Sequence, residues 1–178
     1  MKLVFDIEGD GLREEATKLH CLVAKSLDSG KIYRFFDEKV DCEDKEHYPF
    51  KQLPRLFNSC SSIIGHNIVG YDLPLLTRFY GIDFSKVEIV DTFVISYLLD
   101  PDRQLPDGCP TSTPNPLTGN QDKIGPHSLE AHGFRLGHRK IHHHDWRVFS
   151  PEMLKRCESD VLITEALYYD FMKEIDND

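Results

Sequence analysis

Apolar positions recur along the chain at two spacings, and the switches between them set the element order. Leu3-Val4-Phe5 and Ile7 predict a mostly buried strand. Two more short strands are predicted over 20–25 and 31–36, and Asp28-Ser29-Gly30 between them predicts a hairpin turn. Leu53, Leu56 and Phe57 suit a short helix over 50–57. Ser61-Ser62-Ile63-Ile64-Gly65 predicts a strand ending at His66-Asn67. A helix over 73–80 stops at Gly81, a residue suited to a helix end. A strand over 87–90 follows, then a helix over 92–99 that ends before Pro101. Residues 101–127 hold six prolines among Gly, Ser, Thr and Asn and predict a long loop. Ser128 is the expected N-cap of a helix over 129–136, closed by Gly137. Past a polar, histidine-rich stretch, Met153, Leu154, Cys157, Val161, Leu162, Ala166 and Leu167 predict a last helix from Pro151 to about residue 175. The order predicts an α/β chain, a mixed sheet flanked by helices, in one domain spanning 1–178.

Composition narrows the setting. A chain of 178 residues, 40% hydrophobic and 29% charged, can bury a core and is not disordered throughout. No stretch approaches the roughly 20 apolar residues that span a bilayer, so no membrane partner is expected. The opening reaches Asp6 too early for a signal peptide. Five cysteines, an odd number without a C-x-x-C pair, favour a reducing compartment, and the expectation is a cytoplasmic protein. Neither they nor the nine histidines have the spacing of a zinc site. The acidic run over 37–46 reads as a solvated loop. A net charge of −9 argues against non-specific binding along duplex DNA. That objection weakens where clustered carboxylates hold divalent cations.

Four acids stand in suggestive places. Asp6 and Glu8 are two apart on a strand and point to one face, where like charges raise each other's pKa unless a cation lies between them. Two exposed acids at a strand end would look the same. Asp72 begins a helix, where an acid also makes an ordinary cap. Asp160 adjoins the apolar face of the last helix, and read alone it is a surface acid.

In order, Asp6-Ile7-Glu8, Asn67-Ile68-Val69-Gly70-Tyr71-Asp72 and Cys157-Glu158-Ser159-Asp160 resemble the three motifs of the DEDD, or DnaQ-like, 3′–5′ exonuclease superfamily. Those motifs are D-x-E on the first strand, Asn before a Tyr/Phe-Asp pair after a later strand, and a closing Asp on the last helix. Asp91-Thr92, His127-Ser128-Leu129-Glu130-Ala131 and Gly133-Phe134-Arg135-Leu136-Gly137 are further similar to the proofreading domain of family A DNA polymerases of short-tailed phages. The resemblance runs from Met1 to about Leu167.

It implies a ribonuclease-H-like fold, a mixed five-stranded sheet flanked by helices. It implies Asp6, Glu8, Asp72 and Asp160 as catalytic ligands of two divalent metal ions, Mg²⁺ or Mn²⁺, roughly 3.5–4 Å apart. Leu12, after Gly9-Asp10-Gly11, matches an apolar wedge near the 3′-terminal base. Asn67 and Tyr71, with His66 beside them, would line a channel for single-stranded DNA, and Arg156 would meet substrate. The implied activity is release of nucleoside 5′-monophosphates from single-stranded or frayed 3′ ends. The implied partner is a separate DNA polymerase, in the host cytoplasm for a phage-encoded chain.

One position departs from the pattern. Tyr-x₃-Asp or His-x₄-Asp is expected to end the third motif, and the two places hold Arg156 and Lys155. A guanidinium is no base near pH 7, although it binds phosphate oxygens well. Three readings stay open: an enzyme that works through its metals alone; a base from elsewhere, with His142, His143, His144, Tyr168 and Tyr169 as candidates; or a domain that binds DNA without cutting it. An RNA-trimming relative is a further alternative.

Overall fold

The structure, a computed structural model, describes residues 1–37, 46–115, 119–141, 143 and 145–177. Most of the acidic run, Cys42, His142 and His144 lie outside the described residues. Five strands form the sheet: β1 (Lys2–Gly9), β2 (Leu19–Ser26), β3 (Ile32–Phe35), β4 (Ser62–Gly65) and β5 (Glu88–Asp91). Their spatial order is β3-β2-β1-β4-β5. β1 runs antiparallel to β2 and parallel to β4. β2–β3 is the expected hairpin, and β4–β5 is parallel. The sheet is thus mixed, as the sequence pattern predicts.

Alternation along β1 sorts its side chains into two layers. Leu3, Phe5 and Ile7 enter a core with Leu53, Leu56 and Phe57 of α1 (Leu53–Asn58) and Leu73, Leu75 and Leu76 of α2 (Asp72–Tyr80). Val4 faces the other way, with Cys21, Val23 and Ile64, against Met153, Leu154, Cys157 and Val161 of the last helix. That helix spans Pro151–Asn177. Between it and β5 lie α3 (Thr92–Leu99) and α4 (Leu129–Leu136), so the last helix is α5. A third cluster joins Leu129 of α4 to Ile163, Leu167 and Phe171 of α5. Lys25 pairs with Glu165 at 2.5 Å, and Arg34 grips Glu158 with two bonds of 3.0 and 2.8 Å, so α5 is also pinned laterally to β2 and β3.

The expected loop over 101–127 is corrected in part. It contains a two-stranded ribbon, β6 (Ser112–Pro114) and β7 (Gln121–Lys123). Its strands are three residues long, largely polar and part-exposed or exposed, so no apolar alternation marks them. Backbone bonds hold the ribbon instead, Asn115 N–H to Asn120 O at 2.8 Å and Ile124 N–H to Thr111 O at 3.0 Å. Among the described residues no helix is long and apolar enough to cross a membrane.

One carboxylate joins β4, β5 and α3. Asp91, 6% exposed, accepts from the backbone N–H groups of Asn67 at 2.8 Å, Val69 at 3.0 Å and Phe93 at 2.9 Å. It caps α3 and shapes the turn leading to Asp72, in which Asn67 adopts a positive φ of 60°. Asp91→Ala leaves three N–H groups without their acceptor. We expect a loss of about 3 kcal/mol in unfolding free energy, measured by urea denaturation. A change below about 0.5 kcal/mol would contradict this role.

Candidate metal centre

Because Val4 faces α5, so do Asp6 and Glu8, the next two residues of that register. On α5 the buried positions Met153, Cys157, Asp160, Val161 and Thr164 recur every three or four residues. Asp160 stands in that buried stripe at 2% exposure, which corrects its reading as a surface acid. The Cys157 thiol donates to the Asp6 carbonyl at 3.3 Å, fixing α5 over β1 at this level. One ligand atom from each of Asp6, Glu8 and Asp160 lies within 4.8 Å of the other two. Asp72 stands apart from that triplet, at the first position of α2, and is 4% exposed. The cap position is Tyr71, and the Asp72 carboxylate accepts from its own backbone N–H and from that of Ile7 on β1.

Electrostatics tie the four together. Burial, then the charges of Glu8, Asp160 and Asp72, raises the Asp6 pKa well above the ordinary carboxylate range. Burial raises Asp72 strongly as well, with Glu8 and Asp91 adding to it. Burial pushes Glu8 up to about 7 although Arg156 opposes it. Oδ1 of Asp72 and Oδ1 of Asp160 are buried and have no hydrogen-bond partner among the described residues. A buried carboxylate oxygen left unbonded is costly, and clustered hard oxygen donors are the donor set that Mg²⁺ or Mn²⁺ prefers. The residues therefore fit the divalent metal that the motifs imply.

Two cations already reach the site. Arg156 donates from Nε to Glu8 Oε1 at 2.9 Å and from one terminal nitrogen to the Ile141 carbonyl at 3.3 Å. Its guanidinium carbon lies 4.8 Å from the centre of the Trp146 ring, and its other terminal nitrogen is 3.8 Å from Asp160. Lys140 Nζ lies 2.8 Å from Asp160 Oδ2. The sequence reading missed Lys140. Twenty residues of irregular chain and helix separate it from Asp160, so no periodicity links them. The C-terminus of α4 places it: Gly137 is left-handed at φ 72°, and His138 N–H returns to Gly133 O at 2.8 Å.

A cleft of about 350 Å³ opens beside the carboxylates, with Asp6, His66, Asn67 and Arg156 in its wall. Thr113, Lys123 and Ile124 of the β6–β7 region line it too, so the segment read as a loop borders the site. His66 bonds through Nδ1 to Thr92 Oγ1 at 2.9 Å, and burial drops its pKa to about 3. Behind it Ser96 Oγ meets His127 Nδ1 at 2.8 Å and His132 Nε2 at 2.9 Å. Tyr71 does not line the cleft. Its hydroxyl donates to the Gly11 carbonyl at 2.7 Å, tying the turn that carries Leu12 to the start of α2. Leu12 is 56% exposed and also lies off the cleft wall. Of the candidate bases, Tyr168 and Tyr169 sit two turns beyond Asp160, roughly 12 Å along the helix axis. His143 Nε2 is engaged with the Asp145 carbonyl at 2.6 Å.

A mixed sheet in this order, with α5 crossing the strand that bears Asp6 and Glu8, has the ribonuclease-H-like fold of the DnaQ-like exonucleases, and the resemblance carried by the three motifs stands. No family model matches the chain. In sequence it is 28% identical over 194 aligned positions to a DNA-directed DNA polymerase of Enterobacteria phage T3 and 27% identical to that of Escherichia phage T7. Each alignment covers 93% of this chain, which spans about a quarter (26%) of those polymerases. In structure it is similar to Brucella melitensis NrnC with bound Mg²⁺, with a TM-score of 0.63, 20% identity and coverage of 99% of this chain and 74% of that one. It is also similar to E. coli exonuclease I in complex with a 5cy-dT13 oligonucleotide, with a TM-score of 0.54, 15% identity and coverage of 93% and 39%.

The raised carboxylates predict how stability depends on pH. Without metal the fold favours the protonated forms of Asp6, Glu8 and Asp72, so their contribution is lost as pH rises through the folded values. For Glu8, shifted from 4.5 to about 7, this is on the order of 3 kcal/mol. His66 and His132 act oppositely: held neutral with values near 3, they lose stability only as pH falls below 6.5. Above pH 6.5 the carboxylates act alone. Metal-free protein should therefore melt at falling temperature from pH 6.5 to 8, and millimolar Mn²⁺ should abolish the fall. A flat metal-free profile over this range would contradict the assignment.

Proposed function

We propose that the chain is a metal-dependent 3′–5′ exonuclease acting on single-stranded DNA and releasing nucleoside 5′-monophosphates. One observation carries this reading: three converging carboxylates, Asp6, Glu8 and Asp160, beside an open cleft, with the buried Asp72 electrostatically linked to them and one unbonded oxygen on each of Asp72 and Asp160. Asp6, Glu8, Asp72 and Asp160 would hold the divalent metal, and the motifs imply a pair of ions. Bound there, the metal supplies Lewis-acid stabilisation of the phosphoryl oxygens and a more acidic water. Arg156 neutralises Glu8 and orients it, and its guanidinium carries no base function. Lys123 adds a cation to the cleft wall for the phosphate backbone, and Phe93 adds an aromatic face on which a base can stack. The polymerase relatives and the oligonucleotide-bound exonuclease I support a DNA strand as substrate and a polymerase as partner.

A second reading rests on the Arg156–Glu8 pair. An arginine already bonded to a ligand carboxylate, in the place of a Tyr or His, suits a domain that binds a DNA end without cutting it. Incubation with 3′-labelled single-stranded DNA, in Mg²⁺, Mn²⁺ or chelator, separates the two. Stepwise shortening from the 3′ end is expected only with metal. Asp6→Ala and Asp160→Ala should each lower the rate more than about 100-fold. Binding without shortening, by protein shown to be folded, would establish the second reading. A parallel RNA strand decides the sugar preference.

A further inference from the structure

We propose that Lys140 takes the place of one of the two divalent ions, so that the centre accepts a single ion. The inference rests on the reading of the four carboxylates as a metal site. Three observations carry it.

The first is charge. Ionised as metal ligands, Asp6, Glu8, Asp72 and Asp160 bring four negative charges, against which stand the cations of Lys140 and Arg156. One divalent ion neutralises the remaining pair of charges. A second would leave the buried centre with an excess of positive charge, which is as costly to bury as the negative one.

The second is geometry. The three ligand atoms of Asp6, Glu8 and Asp160 fit within 4.8 Å, which is the reach of one ion with oxygens at roughly 2.1–2.4 Å on either side. Lys140 lies on Oδ2 of Asp160, and Oδ1 is the atom left without a partner. One oxygen of this carboxylate thus meets a built-in cation, and the other is the one a divalent ion would use.

The third is that Lys140 is held in place. Its side chain is only 16% exposed, it follows the capped end of α4, and the next carbonyl, that of Ile141, accepts from Arg156. Arg156 thereby braces the segment that delivers Lys140. Lys140 also borders the cleft, where the ammonium can meet a phosphate oxygen while remaining beside Asp160.

The test counts ions. Wild-type protein and Lys140→Ala are titrated with Mn²⁺ in the absence of nucleotide, and bound metal is read by electron paramagnetic resonance of the free ion. Lys140→Gln serves as a second variant of similar size, and circular dichroism confirms that all three are folded. We expect one Mn²⁺ per wild-type chain and two per chain in either variant. We also expect the variants to melt lower than wild type without metal and to recover with Mn²⁺. Two ions in the wild type, or one ion still in both variants, would overturn the role of Lys140 and leave the metal site standing. No bound Mn²⁺ in any of the three proteins would overturn the metal site and this inference with it.

Discussion

Mutual repulsion among Asp6, Glu8, Asp72 and Asp160 is the constraint that the rest of the structure answers. Three of the four are less than a tenth exposed, and water cannot screen them. They are brought together by ordinary secondary structure. Strand alternation aims two of them at α5, the buried stripe of α5 supplies the third, and the start of α2 supplies the last. The remaining features keep that crowding tolerable. Arg156 and Lys140 supply positive charge, Asp91 fixes the turn before Asp72, and the Arg34–Glu158 and Lys25–Glu165 pairs stop α5 from sliding away. The gap in this compensation is the pair of unbonded oxygens, and a divalent cation is the simplest group that would fill it.

Arg156 shows how one side chain can change the chemistry of a motif without disturbing its frame. It occupies the register of a water-orienting Tyr or His, yet it bonds a ligand carboxylate, stacks on Trp146 and braces the Lys140 segment. The position has become part of the frame around the carboxylates. Neither the tyrosines further along α5 nor His143 takes over its lost role from where they stand.

Local patterns in the sequence carried most of the fold. The alternation of Leu3 to Ile7 and the stripe from Met153 to Leu167 record burial at close range, the stops at Gly81 and Gly137 record a left-handed turn of the backbone, and each corresponds to an observed element. Asp6, Glu8, Asp72 and Asp160 were legible as a set only through their order and context. The burial of Asp160 was not, because an acid interrupting an apolar stripe looks the same as an acid beside it. Lys140 was invisible because its place depends on a helix cap and a loop path that hydrophobic spacing does not encode. The β6–β7 ribbon escaped for the same reason, since backbone bonds hold it and its short strands are largely polar.

The alternation along β1 has a consequence for how the chain reaches this fold. A slip of one residue against β2 would turn Asp6 and Glu8 toward the layer of Phe57, Leu73 and Leu76. Buried in that apolar layer, each acid would carry a cost of several kcal/mol. Strands as short and apolar as β4 give little protection of their own against mispairing. The two acids of the carboxylate cluster thus also act as a lock on strand alignment. Replacing them with apolar residues would be expected to remove that lock along with the metal site.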